Sequence, residues 1–156
     1  MNDLDFSVII TALPLLAAGF LYSIQLTIVA TVGGIFFGTL LALARRGARP
    51  LAWAAAGYVN LMRSIPLLLV IFSFYLVLPL VLQRVFGLSQ PPRIGAEMTA
   101  YITFTLFEAA YFSEIIRAGI GSIAKGQGGA AAALGLSPIQ VMRYVVMPQA
   151  FRAILP

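Results

Sequence analysis

Glu108, Glu114 and Arg117 are the charged residues of an otherwise apolar stretch from Met98 to Ile120. Their spacing suits ions held in a medium that resists them. A charge at membrane depth is costly unless it meets a partner side chain, a wet cavity or a solute. Glu114 and Arg117 stand i,i+3, so one helical face can hold them as an ion pair, while Glu108 points elsewhere on the same wheel. The pair reads as structural. Glu108, near the middle of the stretch, reads first as one end of an interhelical bond and second as a group facing a solute path.

A second set lies at Arg63, Ser64 and Pro66. A cation and exposed backbone donors before a proline-started helix could meet an anion, although snorkelling of Arg63 to the membrane surface is the simpler account. Cysteine and histidine are both absent. That excludes disulfide frameworks, thiol nucleophiles, Cys/His metal sites and imidazole acid/base mechanisms.

The elements that must position these residues are set by composition. Apolar residues make up 61% of the 156 and charged residues 10%, against about 25% charge in an ordinary soluble domain. The apolar residues run in long uncharged segments, so lipid is the expected solvent. The formal charge of +5 raises the question of nucleic acid, but the basic residues flank apolar runs and form no stripe with interleaved aromatics. Asp3 and Asp5 stand where a secretory signal would carry Lys or Arg, so the first apolar run is expected to stay attached.

Three spans follow from this pattern, at about 20–44, 57–82 and 98–120, within a single transmembrane domain over 1–156. Each exceeds or matches the ~20 residues that cross a bilayer core. Pro14 and Gly19 suggest that the chain before Phe20 is a separate turn or short helix. Arg45, Arg46 and Arg49 then place the next loop in the cytoplasm and the N-terminus outside it. Pro66 is expected to kink a cytoplasmic-side helix into the second span, which ends before Arg84. Gly87 to Gly95, with Pro91 and Pro92, reads as an exterior loop. In the first span Gly34-Ile35-Phe36-Phe37-Gly38 fits the small-xxx-small spacing of close helix pairs, and chance glycines fit it as well.

From about 121 to 147 the chain is too polar and glycine-rich to span, and after three crossings it falls in the cytoplasm. Residues Gly129 to Leu134 can form a short helix. Gly135 can then take the left-handed conformation that closes it, and Ser137-Pro138 supplies an N-cap and first residue for another. The result is a helix-turn-helix hairpin. Small side chains at Ala130, Ala131 and Ala133 would let its first helix press into a groove on a second protein, or the hairpin is a plain surface feature.

The run Lys125-Gly126-Gln127, Ala130-Ala131, Leu134-Gly135-Leu136-Ser137, Arg143, Met147-Pro148-Gln149-Ala150 and Leu155-Pro156 resembles the EAA loop of ABC importer permeases of the polar amino-acid type. Arg63-Ser64-Ile65-Pro66 resembles the entrance to that family's second span. Phe107-Glu108-Ala109-Ala110-Tyr111-Phe112-Ser113-Glu114-Ile115-Ile116-Arg117-Ala118-Gly119 resembles its third-span signature. The likeness leans to the glutamate/aspartate type, notably at Ile94-Gly95-Ala96-Glu97, and covers nearly the whole chain.

This resemblance implies an all-α, polytopic type I importer permease in a bacterial inner membrane. Two ABC ATPase subunits, a second permease and an extracytoplasmic amino-acid-binding protein would be its partners. Coupling to the ATPase would fall on Gly126, Gln127, Gly129, Ala130, Ala131, Leu134 and Gly135. Arg63, Ser64, Pro66, Glu108, Ser113, Glu114 and Arg117 would serve the path or helix pairing. The chain itself would be no enzyme and hold no cofactor, since it has no P-loop, and ATP-Mg would sit on the partner. Gly129 stands where the family often has glutamate. Two further spans normally follow the loop, so the chain is expected to be C-terminally incomplete.

Two rival readings fit parts of the pattern. A membrane-tethered helix-turn-helix regulator would need a basic recognition helix, and only Arg143 precedes Arg152 there. A channel or structural membrane subunit would leave the hairpin unexplained.

Overall fold

The computed structural model describes residues 7–154, with side chains from Ile9. Asp3, Asp5 and the terminal Leu155-Pro156 therefore lie outside the described residues. Every regular element among those residues is helical. Helix α1 runs from Ser7–Ala44, α2 from Arg49–Ser64 and α3 from Leu67–Phe86. Helix α4 covers Ala96–Ser122, α5 covers Lys125–Ala133 and α6 covers 138–154.

Helix α1 differs from expectation, because Pro14 lies inside it and no break separates the residues before Phe20. An interior proline removes one hydrogen bond without obliging the helix to stop, and the turns on either side of Pro14 continue. At 1.5 Å per residue its 38 residues extend about 57 Å, more than the ~30 Å core requires.

The second span also departs from the 57–82 reading. Ile65 is extended, with φ −107° and ψ 134°, as a residue before proline is driven to be. Pro66 precedes the new helix at φ −58° and ψ 137°. The break makes Arg49–Ser64 a helix of its own, and the span is Leu67–Phe86, with Arg84 inside its last turn.

Among the described residues Ile9–Ala44 and Leu67–Phe86 are long and apolar enough to cross a membrane. Helix α4 matches them in reach, about 40 Å for 27 residues, but carries charges.

Two prolines leave a visible mark. Pro79 follows a π-helical turn at Ser73–Val77, and Pro148 follows another at Val141–Val146. A proline ring clashes with the carbonyl four residues earlier, here that of Tyr75 and of Tyr144, and widening the turn relieves it.

Helix α4 is central: α1, α2, α3 and α6 all pack on it. Nine of its residues are buried, mostly small or hydroxylated, including Ala109, Ala110, Ser113 and Gly119. Small side chains let backbones approach where lipid offers no hydrophobic drive between helices. A β-carbon on Gly34 would stand 2.8 Å from Glu108 Cβ, and one on Gly38 would stand 2.9 Å from the Ala109 carbonyl oxygen. The small-xxx-small pair is therefore the α1–α4 contact itself. At the far end Ala42, Ile116, Ile120 and Ala150 form an apolar cluster joining α1, α4 and α6. Tyr58 of α2 donates a 2.7 Å hydrogen bond to the Leu106 carbonyl of α4.

Candidate functional site

Glu114 of α4 gathers partners from the ends of two other helices. Arg45, just past the end of α1, donates to Glu114 Oε2 at 2.6 Å. Arg117, one turn along α4, donates Nε–H to Oε1 at 3.0 Å, and its Nη2 joins the same oxygen. Arg63 from the last turn of α2 approaches Oε2 at 3.9 Å and lies over the Tyr111 ring, 5.6 Å from its centroid. One carboxylate thus ties three helices near the side where α1 ends and α4 gives way to α5.

The i,i+3 pair is present. Arg45 joins it although its sequence context reads only as a topology signal. Topology could have found it, because a span that ends at Arg45 and one that ends just past Arg117 on the same side bring both arginines to similar depth. Arg63 does not simply snorkel: it faces the α4 carboxylate, because the Ile65-Pro66 break ends α2 beside Glu114. Ser64 is exposed and donates to the Leu61 carbonyl at 2.9 Å.

Glu108 does not make the interhelical bond expected of it. It is half-buried, contacts the surface that Gly34 leaves open, and has no hydrogen bond or ion pair among the described residues. Ser113 is fully buried, and its hydroxyl, like that of Thr103, has no hydrogen-bond partner among the described residues. Glu108 and Ser113 are therefore not brought into the Glu114 cluster.

The hairpin is built by local rules. Helix α5 closes in a Schellman motif: Gly135 takes φ +85°, its N–H reaches the Ala132 carbonyl at 2.9 Å, and the Leu136 N–H reaches that of Ala131 at 3.2 Å. Ser137 and Gln140 then form a reciprocal capping box, with Ser137 N–H donating to Gln140 Oε1 at 2.8 Å and Gln140 N–H to Ser137 Oγ at 3.4 Å. The first helix begins at Lys125 rather than Gly129.

Helix α5 packs on the π turn of α6. That contact divides the predicted coupling residues. Ala131 is 6% exposed and faces α6, so it belongs to the hairpin's own packing and not to an outer docking face. The reason is helical phase: Gly128, which meets Val141, and Ala131 share the inner stripe. Gly126, Gln127, Gly129, Ala130 and Gly135 are exposed, and Leu134 stands out at 83% exposure. The hairpin therefore presents a nearly bare backbone surface with one protruding leucine.

A long apolar helical array with a helical hairpin appended at one side defines a polytopic membrane protein. This chain belongs to the family described as the binding-protein-dependent transport system inner membrane component, which it matches over residues 34–156. It is 48% identical over 157 aligned positions to the glutamate/aspartate import permease protein GltK of Escherichia coli O6:H1, covering 100% of this chain and 70% of that one. It is 36% identical to the arginine transport system permease protein ArtQ of Bacillus subtilis, over 99% of this chain and 67% of the other. A solved structure described as an amino acid ABC transporter with histidines superposes at a TM-score of 0.80, with 31% identity, over 99% of this chain and 69% of that one. The protein is thus a membrane component of a transporter. The channel and DNA-binding readings account for none of these likenesses.

Proposed function

We propose that this chain is the permease subunit of an ATP-driven importer of glutamate or aspartate. The observation that carries the substrate class is the 48% identity to a glutamate/aspartate import permease along the whole chain. Glu114 with Arg45, Arg63 and Arg117 supports it, since a surplus of guanidinium groups on one carboxylate suits the passage of an anionic solute.

The remaining steps follow from that role. The N-terminus lies outside the cytoplasm and the α5–α6 hairpin inside it, in keeping with Arg45, Arg46 and Arg49 after α1. An extracytoplasmic binding protein delivers the amino acid to a path formed with a second permease. Arg63, Glu108, Ser113, Glu114 and Arg117 line or brace that path. A separate ATPase pair binds ATP-Mg and grips the bare face of α5 at Gly126, Gln127, Gly129, Ala130, Leu134 and Gly135. Closure of the ATPases then moves the spans as rigid units.

The test is uptake of labelled glutamate into proteoliposomes holding the assembled transporter and its binding protein. ATP-dependent uptake that unlabelled aspartate suppresses, and arginine and glutamine do not, is expected. Uptake of a neutral or cationic amino acid in preference would refute the assignment.

A further inference from the structure

On the hairpin side of the molecule, positive charge is left without any counterpart. The sequence holds no carboxylate from residue 6 to 96 and none after Glu114. Glu114 is consumed by its own arginines. Arg46, Lys125, Arg143 and Arg152 make no ion pair among the described residues.

Two of these cations share a cavity. Arg46, two residues past the end of α1, and Lys125, at the start of α5, both line a space of about 380 Å³. Its floor is apolar, from Ile120 and Ile123 of the α4 end to Val141 and Met142 of α6. Gly129 also borders it, and beyond its chain neighbours and its own helix backbone no described atom lies within 4 Å of where a Gly129 β-carbon would be.

Met142 separates this cavity from a second cleft of about 540 Å³ lined by Leu43, Pro138, Ile139, Met142, Arg143 and Met147. That cleft is almost wholly apolar and open, with Ile139 at 79% exposure. Leu43 still belongs to the spanning part of α1, so the cleft reaches the hydrocarbon side of the boundary that Arg45 and Arg46 mark.

We propose that this pair of clefts is a binding site for an acidic phospholipid, its phosphate held by Arg46 and Lys125 and an acyl chain lying over Met142 against Leu43, Ile139 and Met147. The depth is right, because both cations directly follow the ends of helices that cross the bilayer, where lipid phosphates lie. The chemistry is right, because a dication beside an apolar trough complements an amphiphile and not a free anion. The lipid would add a second tie between the α5–α6 hairpin and the end of α1, beside the Ala42–Ala150 cluster. The proposal does not depend on which amino acid is carried.

The transporter complex, with its ATPase attached, is reconstituted in nanodiscs of phosphatidylcholine with a minor fraction of phosphatidylglycerol, extracted and weighed intact by native mass spectrometry. Retained phosphatidylglycerol in preference to phosphatidylcholine is expected. Each basic residue near an acidic surface contributes roughly fivefold in affinity, so the R46Q/K125Q variant should lose about 25-fold. The control R84Q/R93Q, in α3 and the loop after it, should lose nothing. Gly129→Glu, which brings a carboxylate to the cavity, should also weaken retention, and it serves if R46Q/K125Q does not fold. Equal loss in R46Q/K125Q and R84Q/R93Q would overturn the proposal. So would displacement by millimolar inorganic phosphate, which would mark a site for a free anion. Retention only after the ATPase is stripped away would assign the cleft to the protein partner instead.

Discussion

Glu114 is the residue on which the packing of the charged end depends. Its side chain is 23% exposed and that of Arg45 18%, so neither ion has water enough to stand alone. Glu114→Gln leaves Arg45 partly buried and unpaired, which should cost about 3 kcal/mol. Arg63→Gln removes a longer contact from a side chain 40% exposed and should cost under about 1 kcal/mol. Unfolding of the purified chain in micelles by heat or by SDS reads the order directly. Equal costs would show that the cluster does not bind as described. Of this cluster, the Glu114–Arg117 pair was legible from spacing alone. Arg45 was not, since a contact across 69 positions leaves no local trace and the residue served equally well as a stop signal. Glu108 misled in the opposite direction: mid-span charge implies a partner, and the partner is not among the described residues.

Among the elements, the α1–α4 contact sets how closely the spans approach. A β-carbon on Gly38 would meet Phe112 Cβ at 2.7 Å, the Ala109 carbonyl oxygen at 2.9 Å and the Ser113 nitrogen at 3.0 Å. Backbone cannot swing aside, so Gly38→Ala should destabilise by about 1–3 kcal/mol. A β-carbon on Gly19, on the same helix, would meet nothing within 4 Å beyond its chain neighbours and its own helix backbone among the described residues, and Gly19→Ala should be neutral or stabilising by up to about 1 kcal/mol. The same micelle unfolding measurement separates the two. The sequence left Gly34 and Gly38 undecided between contact and chance, because the spacing says which face is small and not what lies against it. The caps of the hairpin were legible, since Gly135 and Ser137-Pro138 act through their own backbone neighbours. The continuity of α1 through Pro14 was not, because a proline costs one backbone hydrogen bond and the sequence does not say whether the neighbouring turns hold without it.

At the scale of the whole molecule, the spans and the hairpin act through their common attachment to α4 and α6. Composition alone sufficed to place the chain in a membrane, and the motif over the hairpin sufficed for the family. The facing of individual hairpin residues needed the structure, because α5 is almost all glycine and alanine and shows no amphipathic phase. Ala131 illustrates the consequence. Ala131→Asp places a carboxylate against α6 and should unfold the hairpin itself, with protease cleavage between α4 and α6 as its readout. Leu134→Asp alters only the outer face and should leave the hairpin resistant to protease.

Co-purification of the ATPase with the permease carrying Leu134→Asp together with Ala130→Arg tests the central claim most directly. Both positions are exposed, so the permease should remain folded. Loss of the ATPase from the variant, with its retention on the unaltered permease, is the result expected of a coupling hairpin. An ATPase that stays bound to the folded variant would contradict it and move the coupling contact to another surface.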